Sequence, residues 1–324
     1  MTTELQADLV CEGGGVKGIG LVGAVHELAA AGYHFPRVAG TSSGAIVSCL
    51  VAALQHAGES LSRLDDIAAA INYSKFEDSS WLGRVPLVGG ALSLLTAEGI
   101  YEGDYLEEFV AGALKDLGVE TFGDLRTDDK WTAHAWSLVV TASDLSRRQL
   151  VRIPWDLPSY GVDPDEFSVA KAVRASAAIP YFFKPVRVSG ATWVDGGLLS
   201  DFPVGLFDRS ASQSPRWPTF GVRLTAKPGI PPATHPVHGP IAIGIAALDT
   251  LFTGQDAAYI NDSCTVRRTI FVSTDDVSSV DFTMDPARTQ LLYNNGVQAA
   301  REFLGEWDFD DYIARCRPLT PLTS

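Results

Sequence analysis

Twice near the start of the chain, a short β-like run ends at a glycine-rich turn and a helical pattern follows. The β-like runs are residues 7–11 and 35–39, and the helical patterns are residues 19–29 and 44–54. Apolar residues of the first helical pattern recur on one face, and the second is almost continuously apolar. Strands separated by helices of this length pack side by side and parallel. The chain is therefore predicted to adopt an α/β fold.

Further strand candidates continue this alternation at residues 135–141, 193–195, 220–224 and 269–273. We expect a three-layer α/β/α architecture, with a mostly parallel central sheet and helices on both faces. The chain has 324 residues, of which 46% are hydrophobic and 20% charged, and this balance is typical of a folded protein. Because no clear linker divides it, we expect a single domain over residues 1–316, with residues 317–324 as a frayed tail.

The second of these turns reads Gly40-Thr41-Ser42-Ser43-Gly44 and fits a nucleophile elbow. In such an elbow the hydroxyl of Ser42 projects from a sharp turn, and the small flanking residues Gly40 and Gly44 let the backbone fold tightly. The amide of Ser43 then points at a developing oxyanion, where the helix N-terminus adds partial positive charge. A Gly-Ser turn without chemistry is the alternative, since GxSxG often occurs by chance.

The first turn, residues 13–18, reads Gly-Gly-Gly-Val-Lys-Gly and matches the dinucleotide pattern G-x-G-x-x-G. That fingerprint needs an acidic residue about 20 positions further on, and residues 33–38 contain none. A phosphate-binding loop of the Walker type is excluded because Ile19 follows Gly18. We interpret the turn as an oxyanion hole formed by the amides of Gly14 and Gly15, with a plain tight turn as the alternative.

A third turn, Asp195-Gly196-Gly197, places an acid at a strand end before two glycines. A carboxylate there can reach the turn of a neighbouring strand, although an exposed aspartate in a β-turn is the alternative. His235 and His238 follow Asp195, so a Ser–Asp–His order is formally possible, but they lie in a proline-rich loop without a motif. Of the other histidines, we interpret His26, His56 and His134 as structural or exposed.

The net charge of −14 constrains the partners. A chain this acidic is a poor candidate for nucleic-acid binding, which needs a basic surface. Anionic membranes should repel it weakly unless a local patch reverses the sign. The acid pairs Asp128-Asp129, Asp275-Asp276 and Asp310-Asp311 lack an ordered ligand spacing, so we expect no metal site and no cofactor.

The four cysteines are widely scattered and form no CxxC pair. This pattern excludes a zinc ribbon, argues against a disulfide framework and favours a reducing compartment. The N-terminal residues do not resemble a Sec-type signal peptide. We therefore expect a cytoplasmic protein, with peripheral membrane contact possible and export by a non-Sec route left open. The sequence does not fix the oligomeric state.

Together, the three turns resemble the motifs of the patatin-like phospholipase family, in the family's order. Residues 13–18 resemble its glycine-rich oxyanion motif, residues 40–44 its nucleophile elbow, and residues 195–197 its DGG motif. Residues 175–180, Ala-Ser-Ala-Ala-Ile-Pro, resemble the segment that precedes DGG. The resemblance covers most of the chain and implies a three-layer fold of the patatin type.

The resemblance also implies a Ser–Asp dyad without a catalytic histidine. Ser42 would be the nucleophile and Asp195 its base, and the amides of Gly14, Gly15 and Ser43 would be the oxyanion donors. The supporting residues would be Gly13, Lys17, Gly18, Gly40, Gly44, Gly196 and Gly197. The sequence departs from the family pattern at Lys17, where Arg is frequent, and at Asp201, where Asn is common. A lysine keeps the charge but loses the bidentate geometry of arginine.

The predicted function is lipid acyl hydrolysis of the phospholipase A type, through an acyl-enzyme on Ser42. The alternatives are a carboxylesterase acting on soluble esters, a nucleotide-binding module using residues 13–18, and a catalytically inactive binding protein on this scaffold. Two apolar stretches, residues 81–95 and 241–252, suggest a cover that opens at a lipid interface, with ordinary core packing as the alternative. The net charge favours neutral or zwitterionic lipid.

Overall fold

The computed structural model describes residues 5–71, 103–129, 135–210, 213–225, 262–274 and 284–317, together with positions 237, 243, 246, 247, 250, 251 and 277. The strands are β1 (Leu5–Gln6), β2 (Asp8–Cys11), β3 (Tyr33–His34), β4 (Val38–Gly40), β5 (Leu138–Asp144), β6 (Gln149–Ile153), β7 (Val186–Val188), β8 (Ala191–Asp195), β9 (Thr219–Arg223) and β10 (Thr269–Phe271). The helices are α1 (Ile19–Ala30), α2 (Ser43–His56), α3 (Arg63–Ala69), α4 (Asp104–Asp116), α5 (Val169–Ser176), α6 (Ser263–Arg267), α7 (Pro286–Glu306) and α8 (Phe309–Cys316).

Five strands of the main sheet are parallel, in the order β10–β9–β2–β4–β5. The remaining three, β6, β7 and β8, run antiparallel to their neighbours. The short strands β1 and β3 form a separate parallel pair. The sheet is mostly parallel with helices on both sides, as the alternation of elements predicted.

The core lies mainly on one face of the sheet. Alternate residues of the parallel strands, such as Leu9, Val38 and Leu138, point into a large apolar cluster shared with α1, α2, α5 and α7. Their neighbours in sequence point to the opposite face, where Phe207 joins a smaller cluster. This two-sided burial explains why the strands read as continuous apolar runs rather than alternating ones.

The predicted strands and the two helices at the N-terminus are confirmed, with shifted ends. Of residues 35–39, only Val38 and Ala39 lie in a strand, which continues to Gly40, while β5 begins later than residue 135 and extends to Asp144. The sequence analysis did not predict β6, β7 or the long helix α7. The two apolar stretches proposed as a cover fall largely outside the described residues.

The expectation about disulfides needs correction. Cys264 of α6 and Cys316 of α8 are bonded, with their Cα atoms 5.4 Å apart. They are separated by 52 residues in sequence, so no local spacing indicated the pair. Cys11 and Cys49 are free and buried in the core, where burial raises the pKa of the Cys11 thiol to about 12. No helix within the described ranges is both long and apolar enough to cross a membrane.

Candidate active site

The candidate site forms where β4 and β8 meet end to end. Strand β6 occupies one side of β5, because Val140 and Ala142 of β5 pair with Ile153 and Val151. The other side is shared: Gly40 of β4 pairs with Val140, and Asp195 of β8 pairs with Ala142. Since β8 is antiparallel to β5, its carboxyl end points towards that of β4. The turns that follow the two strands therefore face each other.

Ser42 follows β4 on a strained turn. Its backbone dihedrals are φ 53° and ψ −122°, a region that non-glycine residues rarely occupy. A side chain at Gly44 would lie 2.4 Å from the carbonyl oxygen of Cys11, so only glycine lets α2 start this close to β2. The amide of Ser42 donates to Ser176 Oγ at 2.9 Å. This is the geometry of a nucleophile elbow.

Asp195 ends β8 and is 1% exposed. Its Oδ1 accepts a hydrogen bond from the amide of Gly197 at 2.8 Å, whereas Oδ2 is buried without a hydrogen-bond partner among the described residues. Burial raises the pKa of this carboxyl to about 7, and interactions with the Gly197 amide and the Ser42 side chain oppose the rise. A carboxyl poised near neutral pH suits a general base.

The glycine-rich turn lies beside Ser42 and is tied to the loop that follows Asp195. The amide of Gly13 donates to the carbonyl oxygen of Asp201 at 3.1 Å, and Gly15 has a φ of 58°. Within the described part of the chain, the amides of Gly14, Gly15 and Ser43 have no acceptor. Three unpaired amides near one serine can stabilise an oxyanion.

An apolar cavity opens beside Ser42 and follows one face of α2. Residues at helical spacing on α2, from Ile46 through Val47 to Leu50, form one wall over little more than one turn. The opposite walls come from α3, α4 and the segment after α5, and comprise Leu64, Ala68, Ile71, Leu106, Ala177, Ile179 and Phe183. A narrow apolar cavity that reaches a reactive serine fits a hydrocarbon chain.

Comparison with protein families decides the classification. The family model described as "Patatin-like phospholipase" matches residues 9–208, which include Ser42 and Asp195. The chain belongs to the patatin-like phospholipase family. Membership supports a lipid hydrolase, in agreement with the motif order noted above.

The names of two relatives of this patatin-like chain assign them no activity. The "Uncharacterized protein YqhO" of Bacillus subtilis is 33% identical over 306 residues, covering 93% of this chain and 99% of YqhO. An "Uncharacterized NTE family protein" of Mycobacterium bovis is 29% identical over 202 residues, covering 61% of this chain and 27% of that protein. Among solved structures, VipD of Legionella pneumophila superposes with a TM-score of 0.52 at 16% identity, covering 92% of this chain and 66% of VipD. That likeness shows the patatin fold alone.

The remaining motif residues of the patatin-like chain pack around these groups. A side chain at Gly18 would lie 2.9 Å from Ser43 Cβ, and one at Gly40 would lie 2.2 Å from the carbonyl oxygen of Gly44. A side chain at Gly196 would lie 2.5 Å from Thr141 Oγ1. Lys17 is half-buried, and its amide donates to the carbonyl oxygen of Gly14 at 3.2 Å.

The sequence analysis missed several supporting residues of the patatin-like site. Ser176 accepts from the Ser42 amide, and Thr41 Oγ1 lies 2.6 Å from Thr141 Oγ1. Glu12, directly before the glycine-rich turn, is buried and bonds Arg223 Nε at 2.6 Å. The resemblance pointed to the segment that contains Ser176, but no local pattern indicated that its hydroxyl holds the elbow.

Asp201, where the family commonly has Asn, lies next to Asp195 and the glycine-rich turn. A side chain added at Gly197 would be 2.7 Å from Asp201 Oδ1 and 3.1 Å from Asp195 Oδ1, so the two carboxyls are neighbours. A side chain at Gly13 would also meet Asp201 Oδ1. Asp201 is 8% exposed, so this second carboxyl beside Asp195 is also buried.

The described histidines lie away from Ser42. His26 Nδ1 is 2.6 Å from Asp65 Oδ2, between α1 and α3, and His56 closes the far end of α2. Neither they nor His34 line the cavity at Ser42. His134, His235 and His238 lie outside the described residues.

Proposed function

We propose that this patatin-like protein hydrolyses lipid acyl esters through a Ser42–Asp195 dyad. The observation that carries the proposal is the meeting of β4 and β8, which brings a serine on a strained turn to a buried carboxyl whose pKa is about 7. We further propose that residues 1–316 act as one acyl hydrolase domain. No metal or cofactor enters the proposed reaction.

In the first step, Asp195 Oδ2 takes the proton of Ser42 Oγ as that oxygen attacks the ester carbonyl carbon. The carbonyl oxygen becomes negative and is stabilised by the amides of Gly14, Gly15 and Ser43. When the carbonyl reforms, the ester C–O bond breaks and the departing alcohol takes the proton from Asp195. Water then repeats the sequence on the acyl-enzyme and releases the fatty acid.

The direct test is labelling with a fluorophosphonate probe, which reacts only with an activated serine. We expect labelling of the wild type at Ser42, and none in Ser42→Ala. Ser48→Ala is the matched control, because Ser48 is a buried serine of the same helix that bonds the carbonyl oxygen of Ala39. An unlabelled wild type would support the inactive binding protein instead.

The cavity allows a test of substrate class. Ala68 lines it, whereas Ala69 on the same helix is exposed, so Ala68→Leu narrows the cavity and Ala69→Leu does not. Burial of each CH₂ contributes about 0.8 kcal/mol, so losing room for one should lower kcat/KM about fourfold. We expect Ala68→Leu to reduce kcat/KM for long-chain esters while acetate esters are hydrolysed as before. An equal loss for all chain lengths would favour a carboxylesterase of soluble esters.

A further inference from the structure

Two hairpin turns project from the sheet at the end that carries Ser42. Strand β5 continues past the level of Asp195 to Asp144 and turns back at residues 145–148, and the β7–β8 hairpin turns at residues 189–190. The two turns are joined, because Ser146 Oγ accepts from the amide of Thr192 at 3.0 Å and the amide of Leu145 donates to the carbonyl oxygen of Thr192 at 2.9 Å. They form one continuous surface.

This surface is basic in a strongly acidic protein. Arg148, Lys184 and Arg187 are exposed on the two hairpins and the segment leading to β7, and Arg147 is 42% exposed beside them. From residue 167 to residue 194 the sequence contains no Asp or Glu. Asp144 is the acid at the base of the first turn, but it is buried and accepts the hydroxyl of Tyr160 at 2.7 Å. Its Oδ2 also lies 4.0 Å from Arg147 Nε, so this buried acid offsets part of the charge of Arg147.

Large apolar side chains are also exposed on the first turn and on the segment before β7. Tyr181 is 63% exposed and stands between Ile179 and Phe183, both of which line the cavity. Its φ of 69° is a strained value for a residue other than glycine. Leu145 is 47% exposed on the neighbouring turn. Strain at an exposed aromatic residue is a feature found at functional surfaces.

We propose that this hairpin face, comprising Leu145, Arg147, Arg148, Tyr181, Lys184 and Arg187, docks on an anionic lipid bilayer. The inference rests on the proposed function, since docking there would present bilayer lipid to Ser42. Cationic side chains near an anionic bilayer each contribute about a factor of five in binding, and tyrosine suits the boundary between water and hydrocarbon. The net charge of −14 suggests the opposite preference, but attraction at contact depends on charges within about 10 Å.

A bilayer fits this face better than an acidic protein. Exposed Tyr181 lies between two residues that line the apolar cavity, and exposed Leu145 lies on the basic turn at residues 145–148, so the face combines charge with apolar surface. A docking partner that only neutralised charge would leave these apolar side chains without a role. A lipid surface satisfies both and also holds the acyl ester that the cavity would receive.

Flotation of the full chain with vesicles tests the proposal. The vesicles are phosphatidylcholine alone, or phosphatidylcholine mixed with phosphatidylserine, at low and high salt. We expect wild type to float with the mixed vesicles at low salt, and Arg148→Gln/Lys184→Gln to bind roughly thirtyfold more weakly. Arg301→Gln/Arg315→Gln removes the same charge from exposed positions on α7 and α8 and should bind as wild type.

Tyr181→Asn tests the apolar contribution, because asparagine tolerates positive φ and so separates loss of the ring from loss of fold. We expect Tyr181→Asn to bind the mixed vesicles more weakly than the wild type at both low and high salt, and to keep the thermal stability of the wild type. Equal flotation of the hairpin and control variants would overturn the proposal, as would equal binding to both vesicle types. Binding to soluble polyglutamate without flotation would overturn it too and assign the face to acidic protein.

Measuring ester hydrolysis in the same wild-type samples separates the two proposals. Flotation without any ester hydrolysis would contradict the proposed function and support the docking face. Hydrolysis of a soluble ester without flotation on mixed vesicles would support the proposed function and contradict the docking face.

Discussion

Asp8 and Asp195 are buried to the same degree at opposite ends of the sheet, and they differ in what surrounds them. Asp8, at the amino end of β2, accepts hydrogen bonds from Nε and Nη2 of Arg37 and from Nε1 of Trp217. Among the residues that the structure describes, Asp195 has a backbone amide on one oxygen and no ion pair with a cation. Burial raises the pKa of both carboxyls, and Arg37 opposes the rise only at Asp8.

On the dyad proposal, the difference separates a structural acid from a catalytic base. Glu12 with Arg223 and Asp208 with Arg268 follow the pattern of Asp8, each acid being held by a guanidinium. At Asp8 the guanidinium favours the charged carboxylate and opposes the effect of burial, although the pKa of Asp8 is still raised. Asp195 lacks that restraint, which is what a base for Ser42 requires.

The largest expected effect is on turnover. Ser42→Ala and Asp195→Asn should each lower kcat by roughly 10⁴ or more. The kcat of the double variant should equal that of the less active single variant, because the two residues act as a unit. Steady-state kinetics on one ester checks this. Asp8→Asn, assayed per folded molecule, should retain activity, and a comparable loss there would erase the distinction between the two aspartates.

Stability should respond with opposite signs at the two aspartates. Asp8→Asn leaves the Arg37 guanidinium buried without its counter-charge and should lower the free energy of unfolding by about 3–5 kcal/mol. Asp195→Asn removes a carboxyl whose folded pKa of about 7 exceeds its unfolded value near 3.8, so it should stabilise the protein above pH 7, by at most about 4 kcal/mol.

The stabilisation by Asp195→Asn should shrink as pH falls, because folding of the wild type no longer requires a buried charge once Asp195 is protonated. The difference should approach zero near pH 4. Urea denaturation of the wild type and the two variants at pH 5 and pH 8 measures these differences in the free energy of unfolding. A pH-independent difference would mean that Asp195 does not titrate between these values.

Glycines in the same backbone conformation at the two ends of the sheet sharpen the comparison further. Gly15 and Gly58 have φ values of 58° and 67°, but Gly58 follows α2 at the far end, where nothing lies within 4 Å of an added side chain. Gly15→Ala should lower kcat by roughly 10²–10³ through a displaced oxyanion donor. Gly58→Ala introduces similar backbone strain away from Ser42. Equal kcat values for the two variants would therefore contradict the assignment of the Gly15 amide as an oxyanion donor.

The smallest effect concerns pH. If Asp195 is the base, kcat/KM should rise about tenfold per pH unit below pH 7 and level off above it. A histidine base would give a similar rise of kcat/KM with pH, so the pH profile is measured again in His235→Ala/His238→Ala. If the rise disappears in that variant, a histidine rather than Asp195 is the base.

The local parts of the site could be predicted from sequence, and its assembly could not. Ser42, Asp195 and the glycine-rich turn each lie in a turn whose small residues are visible in the chain. Their meeting depends on β8 running antiparallel to β5 while β4 runs parallel, and a three-residue register between distant strands leaves no periodic signal. The same holds for Ser176, which is 134 residues from its partner Ser42.

The hairpin face could not be predicted from the sequence for a related reason. Arg148 lies on the turn between β5 and β6 and Lys184 on the segment leading to β7, and the hydrogen bonds of Ser146 and Leu145 to Thr192 join these hairpins only in the fold. Net charge averages over the whole chain and hides such a cluster. The apolar stretches that suggested a cover were chosen by composition, whereas Tyr181 stands out through its exposure and its backbone angle.

The opposed directions of β4 and β8 also bear on how the protein is made. A ribosome delivers Ser42 early and Asp195 much later, after β5 and α5 have emerged. Because synthesis proceeds at about 5–20 residues per second, the nascent chain carries its serine for several seconds without a base. On the dyad proposal, esterase activity begins only when β8 docks beside β5, so a prematurely terminated chain that ends before Asp195 is released inert.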